Sequence, residues 1–517
     1  MIIRVLELPY LLPYLPEENW WGGRNAEGIR MPFSAKNTHI SELHSDLLGN
    51  QGAPLFLSSA GRYLWSDDPF RCEFRDDGIF LTGSTGPVTC AEGLDDLPGA
   101  YSAAAEAHFP ASGLQPPAEF FAAPQYNTWI ELNHRQNQDD VLKYAKGIIE
   151  NGYPPGVLMI DAGWFDYFGH LDFHAENFPA PREMVGRLKE WGFRVMLWVS
   201  PFFSADSREF RHWRNLPGWI LRNRDGSPSV LEWWDGYSVH LDLTHPKAVE
   251  WFRGELRRLQ DEYGIDGFKF DAGDAHHYID RPQSWLNASP VELTERWAAF
   301  ALSFPFNELR ACWKQAGRPL VQRLQDRAPS WDERGLASLI PNAIAAGLIG
   351  HPFVCPDMVG GGEYTYFNDP SFEVDEELFV RSAQASALFP MMQFSCAPWR
   401  ALSKEAADLC LAAVEIRQSL SRVFHDLAAE AARSGEPILR AMEFEFPNQG
   451  YAGVRDQFML GSGILVAPAL QKGAGGRKVA LPPGRWRADD GRLYQGPDEA
   501  EIETPIERLP RFERIIE

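Results

Sequence analysis

The stretch richest in chemistry runs from Tyr263 to Asp274, YGIDGFKFDAGD. An apolar run ends there in Lys269, Asp271 and Asp274, so one strand delivers an ammonium and two carboxylates to one loop. Residues two apart on a strand face the same side, which puts Lys269 beside Asp271. A carboxylate held this way can act as nucleophile, base or metal ligand. The plain alternative is a salt bridge at the rim of the fold. A second stretch, Arg323-Leu-Gln-Asp326-Arg-Ala-Pro-Ser-Trp331-Asp332, again follows an apolar run. Arg323 and Arg327 flank Asp326 and favour its ionised form, whereas a general acid needs a pKa raised by burial or a neighbouring carboxylate. The sequence leaves open which effect wins, and a surface ion pair is the plain reading. Two carboxylates from neighbouring strand ends are the minimum equipment for glycoside hydrolysis. One attacks the anomeric carbon and the other protonates the leaving oxygen.

Other strand ends carry groups suited to a sugar. Gly156-Val-Leu-Met-Ile-Asp161-Ala-Gly-Trp164 ends in an acid with a Trp close behind, and Arg194-Val-Met-Leu-Trp198 adds another Trp. Carboxylates bind hydroxyls, and flat rings cover a sugar's C–H face, although each Trp alone is more often core. Asp274 and Asp357 are further candidates for the same subsite, and Trp21 is a guess from the N-terminal region. No HExxH or CxxC occurs. Asp271, Asp274 and His276 could still ligate a divalent cation, but no metal site is assigned and no cofactor is implied. No GxSxG elbow supports serine hydrolase chemistry.

The elements that must position these groups follow from the hydropathy pattern. Residues 1–120 alternate in short runs (Pro54–Ser59, Tyr63–Ser66, Gly78–Thr82) between Gly, Asp and Pro clusters, which predicts antiparallel strands. Ala103 to Pro124 reads as a connector. Apolar runs then alternate with helical segments. The runs are Thr128–Leu132, Gly156–Asp161, Phe193–Pro201, Ser238–Leu243, Gly267–Asp271, Leu320–Asp326, Phe353–Asp357 and Leu388–Ser395. The helices are Asp139–Asn151, Arg182–Trp191, Pro246–Tyr263 and Pro290–Gln315. Strand-then-helix repetition means parallel β structure, and carboxylates at several strand ends match a TIM barrel, whose site is built from those ends. After about Pro437 the pattern returns to short strands. The expected fold class is therefore α/β: an N-terminal antiparallel β domain (1–120), a (β/α)8 TIM barrel (121–435) and a small C-terminal β-sandwich (436–517).

Composition narrows the partners. The 517 residues carry 49 Lys+Arg against 71 Asp+Glu, a formal charge of −22. That balance argues against nucleic acid and against an anionic membrane surface, both of which need a basic footprint. A neutral substrate is more natural than a polyanionic one; with the paired carboxylates and Trp residues above it would be a small carbohydrate or glycoside, and oligomeric state stays open. Six cysteines without CxxC spacing read as reduced, buried thiols. No run of about 18 apolar residues occurs, and the expected location is the cytoplasm.

Together these motifs resemble glycoside hydrolase family 31, the retaining α-glycosidases, over most of the chain. GFKFDAGD lies at the family's nucleophile strand with Asp271 at the nucleophile. RLQDRAPSWDERGLASLIPNAIAAGLIGHPFVCPDMVGG is similar to the run from acid/base to the next barrel strand. In that run an Arg precedes the catalytic Asp by three residues and a Trp follows it by five. Arg323, Asp326 and Trp331 fit this register, and Asp332 is the alternative acid/base. DQFMLGSGILVAPALQKGAGGRKVALPPGRW is similar to the entry of the family's C-terminal β domain. Two departures bear on the sugar. Ala162 follows Asp161 where glucosidases carry a second acid, and Gln393-Phe-Ser395 stands where they carry Arg-Asn-His. The KFDAG form, NTWIELNHRQNQ and WWGG are similar to the subgroup typified by the myogenesis-regulating glycosidase, which implies α-galactoside cleavage. On this resemblance Asp271 and Asp326 are catalytic, and Asp161, Trp164, Trp198, Lys269, Asp274, Arg323, Trp331 and Asp357 shape the subsite. The competing reading is a non-catalytic sugar-binding barrel, and other sugars (glucosides, xylosides) remain alternatives.

Overall fold

The computed structural model describes residues 1–44, 50–278, 280 and 282–515. Its centre is an eight-stranded parallel sheet: Gln125–Asn127, Val157–Ile160, Arg194–Val199, Gly267–Phe270, Phe306–Leu309, Gln322–Arg323, Val354–Cys355 and Gln393–Phe394. The first seven pair with their neighbours in chain order, and the last strand pairs with the first. Val359 N–H donates to Gln393 O at 2.8 Å, so the final gap is bridged just beyond a strand end. The barrel is nearly closed.

The crossover helices form where the apolar spacing demands it. Pro246–Tyr263 buries Ala248, Phe252, Leu256 and Leu259, one stripe at helical spacing. Pro290–Ala301 starts from a reciprocal cap in which Ser289 and Glu292 satisfy each other's backbone N–H. This second helix is shorter than its sequence pattern suggests. Pro290–Gln315 reads as one helix by composition, but the helix ends at Ala301 and the chain becomes the barrel strand Phe306–Leu309. Pro305 is the reason, since it cannot continue a helix. Ser238–Leu243 is not a barrel strand either. Gly236–His240 belongs to a separate antiparallel sheet with Phe202–Ser204 and Val230–Trp233, inserted after the third barrel strand. Within Thr128–Leu132, Trp129–Leu132 forms a short helix, and the strand lies just before it.

The N-terminal region is antiparallel, as its alternation predicts. One sheet orders Ile2–Leu6, Val88–Glu92, Tyr63–Ser66 and Gln51–Ser58, with Trp20–Arg24 also on Gln51–Ser58. A second holds Tyr10–Leu12, Ile79–Thr82, Arg71–Phe74 and His39–Glu42. Cys312–Trp313, directly after the fifth barrel strand, pairs with Gln51–Gly52 and ties this region to the barrel. The helix Leu97–His108, capped by Asp96 and buried along Leu97, Ala100, Tyr101 and Ala104, runs into the first residues of the expected connector. At the C-terminus a six-stranded antiparallel sheet encloses its own core of Met459, Leu465, Val479, Trp486, Ile502 and Phe512. Its long hairpin shifts register between Leu481 and Gly484, which lets the sheet bend around that core. All six cysteines are buried and unpaired. Among the described residues no helix is long and apolar enough to cross a membrane.

Candidate active site

Five of the eight barrel strands deliver charged groups to one end of the sheet. Asp161 directly follows Val157–Ile160, Asp271 follows Gly267–Phe270, and Arg310 follows Phe306–Leu309. Arg323 ends the sixth strand, with Asp326 in the loop beyond, and Asp357 lies two residues past Val354–Cys355. These are C-terminal strand ends, where parallel barrels build their sites. The parallel register sets Trp198, Lys269 and Glu308 side by side across three strands.

Asp271 is enclosed by donors. Trp198 Nε1–H donates to one carboxylate oxygen at 2.9 Å, and the Ala272 N–H donates to the other at 2.9 Å. Lys269 Nζ stands 3.9 Å away, and Arg310 Nε 3.6 Å. Burial alone would raise the pKa of this carboxyl. The charges of Arg310, Lys269 and Arg323, with the Trp198 hydrogen bond, outweigh burial and hold it well below the usual carboxylate range. Asp271 is an ionised, oriented carboxylate at neutral pH. Burial would also discharge Lys269, but Asp161 at 2.7 Å and Asp271 raise its pKa and keep it an ammonium. Ala272 takes φ +56°, an uncommon conformation for a residue with a Cβ, and turns the chain off the strand immediately after Asp271.

Asp326 differs in kind. Its side chain is 30% exposed and accepts a hydrogen bond from Arg323 Nη1 at 2.6 Å. Arg310 links the two carboxylates: its Nε faces Asp271, its Nη1 lies 3.8 Å from Asp326, and its Nη2 donates to Asp274 at 2.8 Å. Arg323 is itself fully buried and serves three acids, reaching Asp326, Asp357 at 3.0 Å and Glu308 at 3.5 Å. One guanidinium cannot neutralise three carboxylates. Burial and the charge of Asp326 push Asp357 up to about 6, against the pull of Arg323 and Arg327. Burial pushes Glu308 up to about 7, against Arg323, Lys269 and a hydrogen bond from Gln393. Gly362 permits the crowding at Asp357, because a Cβ there would meet its carboxylate at 2.5 Å.

Glu308 yields a stability prediction with a definite sign. Its folded pKa lies above the ordinary glutamate value, so its contribution is fully present at acid pH and is lost as pH rises through about 7. Glu308→Gln removes that loss. The variant should gain on wild type between pH 5.5 and pH 8.5 by about 2 kcal/mol, at 1.36 kcal/mol per pKa unit. Urea unfolding at the two pH values reads the difference, and a gap that stays constant would refute the assignment.

Of the residues singled out by sequence, Asp161, Trp198, Lys269, Asp271, Asp274, Arg323, Asp326 and Asp357 meet in one network. Trp164 stands behind it. It is fully buried, and its Nε1–H donates to Trp198 O at 2.9 Å, so it supports Trp198 and offers no face to a ligand. Trp331 donates its indole N–H to Asp375 at 3.0 Å. Trp21 is buried and lines a separate cleft with Gly28, Met31, Pro341 and Tyr451 that none of these network residues lines. Asp332 is exposed and tied to Ser330 and Arg334. The Arg327 side chain turns to Ser338, while its backbone N–H donates to Asp357 at 2.6 Å.

Sequence reasoning missed Arg310, Glu308, Trp234 and Asp235. The break at Pro305 followed by Phe-Asn-Glu-Leu was the available signal for the first two. Trp234 sits in the turn of the inserted sheet, 45% exposed, with the Arg310 guanidinium 4.7 Å from its ring centre. Burial raises the Asp235 pKa, and the charges of Asp271 and Asp161 add to the rise. Among the described residues, Asp274, His276 and His277 are the one group of three whose donor atoms approach as metal ligands do, within 4.8 Å.

The glycosyl hydrolases family 31 TIM-barrel domain profile matches residues 116–427, and the glycosyl hydrolase family 31 C-terminal domain profile matches residues 435–515. The chain is 34% identical over 388 residues to the myogenesis-regulating glycosidase of Mus musculus, covering 73% of this chain and 54% of that protein. It spans about half the length of the curated relatives it matches. Among solved structures, a dextranase of family 31 from Flavobacterium johnsoniae complexed with glucose superposes with a TM-score of 0.84 at 20% identity, covering 98% of this chain and 66% of that one. An α-xylosidase from a soil metagenome complexed with xylose gives 0.83 at 21% identity, covering 97% and 78%. The barrel profile spans more than half of the chain, and the mouse relative is matched over nearly three quarters of it, so this protein belongs to glycosyl hydrolase family 31.

Proposed function

We propose that the protein is a retaining exo-α-glycosidase whose first substrates are terminal α-galactosides. One observation carries the chemistry: Arg310 holds an ionised, enclosed carboxylate and a partly exposed one against a single guanidinium. Asp271 attacks the anomeric carbon while Asp326 passes a proton to the leaving oxygen. Asp326 then takes a proton from water, and that water breaks the glycosyl–Asp271 bond. Asp161 and Lys269, paired at 2.7 Å, present an acceptor and a donor to the sugar's hydroxyls, and Trp234 offers its exposed face above Arg310.

The choice of sugar rests on less. The mouse relative is matched at 34% identity, while relatives at about 25% are named for α-xylosides and α-glucosides. Gln393 is buried and donates to Glu308, and Ser395 Oγ accepts from Ile130 N–H at 2.7 Å, so this late strand sends no side chain to a sugar hydroxyl. That arrangement favours a sugar other than the glucose of the family's ordinary α-glucosidases. We also propose that the protein acts in the cytoplasm. The test is a panel of p-nitrophenyl α-galactoside, glucoside, xyloside and sulfoquinovoside. Turnover greatest on the galactoside is expected, with the α-anomer of the sugar released first by NMR. Preference for another glycoside overturns the sugar, and a β-anomer as first product overturns the double displacement.

Trp198→Phe keeps the ring and deletes the donor to Asp271. A hydrogen bond to a charged group is worth about 1.5–3 kcal/mol, so kcat/KM on the best panel substrate should fall about 10–100-fold. Unchanged kcat/KM would show that Trp198 only packs.

A further inference from the structure

The Asp274, His276 and His277 side chains leave the catalytic strand in a single turn, with both histidines on the short helix Ala275–Tyr278. One donor atom from each lies within 4.8 Å of the others. Three buried atoms of this group lack any hydrogen-bond partner: Asp274 Oδ1, His276 Nδ1 and His277 Nε2. Asp274 is 1% exposed and His277 9% exposed, so solvent does not readily satisfy them. Each such atom costs about 1–3 kcal/mol when left unpaired. Arg310 occupies only the other oxygen of Asp274, at 2.8 Å. The group thus combines donor atoms at ligand-like separations with polar atoms that the protein leaves without partners.

We propose that Asp274, His276 and His277 bind one zinc-class divalent cation in the wall of the catalytic pocket, and that the bound cation inhibits turnover through Arg310. Two imidazoles and one carboxylate are the donor set of borderline metals, whereas magnesium and calcium take oxygen ligands. Zinc ligands sit at about 2.0–2.2 Å, hence about 3.4 Å from each other in a tetrahedron. Binding must draw the three donor atoms together from within 4.8 Å to that spacing, with water as the fourth ligand. Asp271, held on the same guanidinium, offsets part of the repulsion between the cation and Arg310. A cation on Asp274 competes with Arg310 for that carboxylate, and Arg310 also stands against Asp271 and Asp326. Occupancy therefore loosens the guanidinium that holds both catalytic carboxylates.

The full chain, stripped by chelator and dialysed, is titrated with Zn²⁺ by calorimetry and with Co²⁺ by visible absorption. One site of micromolar affinity is expected, with cobalt bands of a four- or five-coordinate nitrogen–oxygen site. His276→Gln and His277→Gln should each weaken binding by at least about tenfold. Zinc should lower the turnover of wild type but not of the double variant. Imidazole ¹⁵N shifts of wild type on zinc addition, confined to two of the 13 histidines, give a readout that needs no variant to fold. Absence of a stoichiometric site, shifts at other histidines, or zinc inhibition that persists in the double variant would each overturn the proposal. Binding is read without a glycoside, so its failure is distinguishable from failure of the proposed activity.

Discussion

Asp271→Asn is expected to lower kcat on the best α-glycoside by about four orders of magnitude or more while leaving the fold intact. The size follows from removing the proposed nucleophile, whose loss other groups cannot replace. The fold should survive because both cations keep a partner: Lys269 retains Asp161 at 2.7 Å, and Arg310 retains Asp274 at 2.8 Å. The asparagine also still accepts one of the two hydrogen bonds that Trp198 and Ala272 donate. Unchanged thermal unfolding together with lost turnover is the expected pair of results, and near-wild-type turnover would remove Asp271 from its role. Truncation with an added nucleophile separates the two carboxylates. In Asp271→Ala, azide enters from the vacated side and should give the β-glycosyl azide. In Asp326→Ala, azide should attack the glycosyl–Asp271 intermediate and give the α-glycosyl azide. Exchange of these two products would exchange the two assignments.

Arg323→Leu is the second large effect, and it falls on stability. Arg323 is 1% exposed and is shared by Glu308, Asp326 and Asp357. Removing one partner of a buried ion pair costs about 3–5 kcal/mol, because the remaining charge is left unpaired. Here the remaining charges have a way out, which is protonation. Without the guanidinium the folded pKa values of Asp357 and Glu308 rise further above their unfolded values. A raised carboxyl pKa means stability that is present at acid pH and is lost as pH rises. The variant should therefore be nearer wild type at pH 5 than at pH 8, where the full loss appears. Urea midpoints at the two pH values test this, and a loss independent of pH would mean that Arg323 acts by packing alone. Arg323→Lys should recover only part, since one ammonium cannot span three acceptors.

The sequence by itself determined the strand–helix alternation, the antiparallel ends and the carboxylates at strand termini. These are legible because burial imposes a period of two on strands and 3.6 on helices over a few consecutive residues. Lys269 beside Asp271 and Arg323 beside Asp326 were readable for the same reason, as each pair sits within four residues on one segment. Only the tertiary structure decided that Arg310 bridges Asp271 and Asp326. Its strand hides in a pattern that continues the preceding helix, and its partners come from other strands that meet only when the barrel closes. Closure also places Gln393 of the last barrel strand against Glu308 of the fifth. The fates of Trp164 and Trp234 were invisible for a related reason. An indole reads the same in sequence whether it packs behind Trp198 or stands exposed over Arg310. Which one it does depends on an inserted sheet whose strands mimic a barrel strand in composition and differ only in what they pair with.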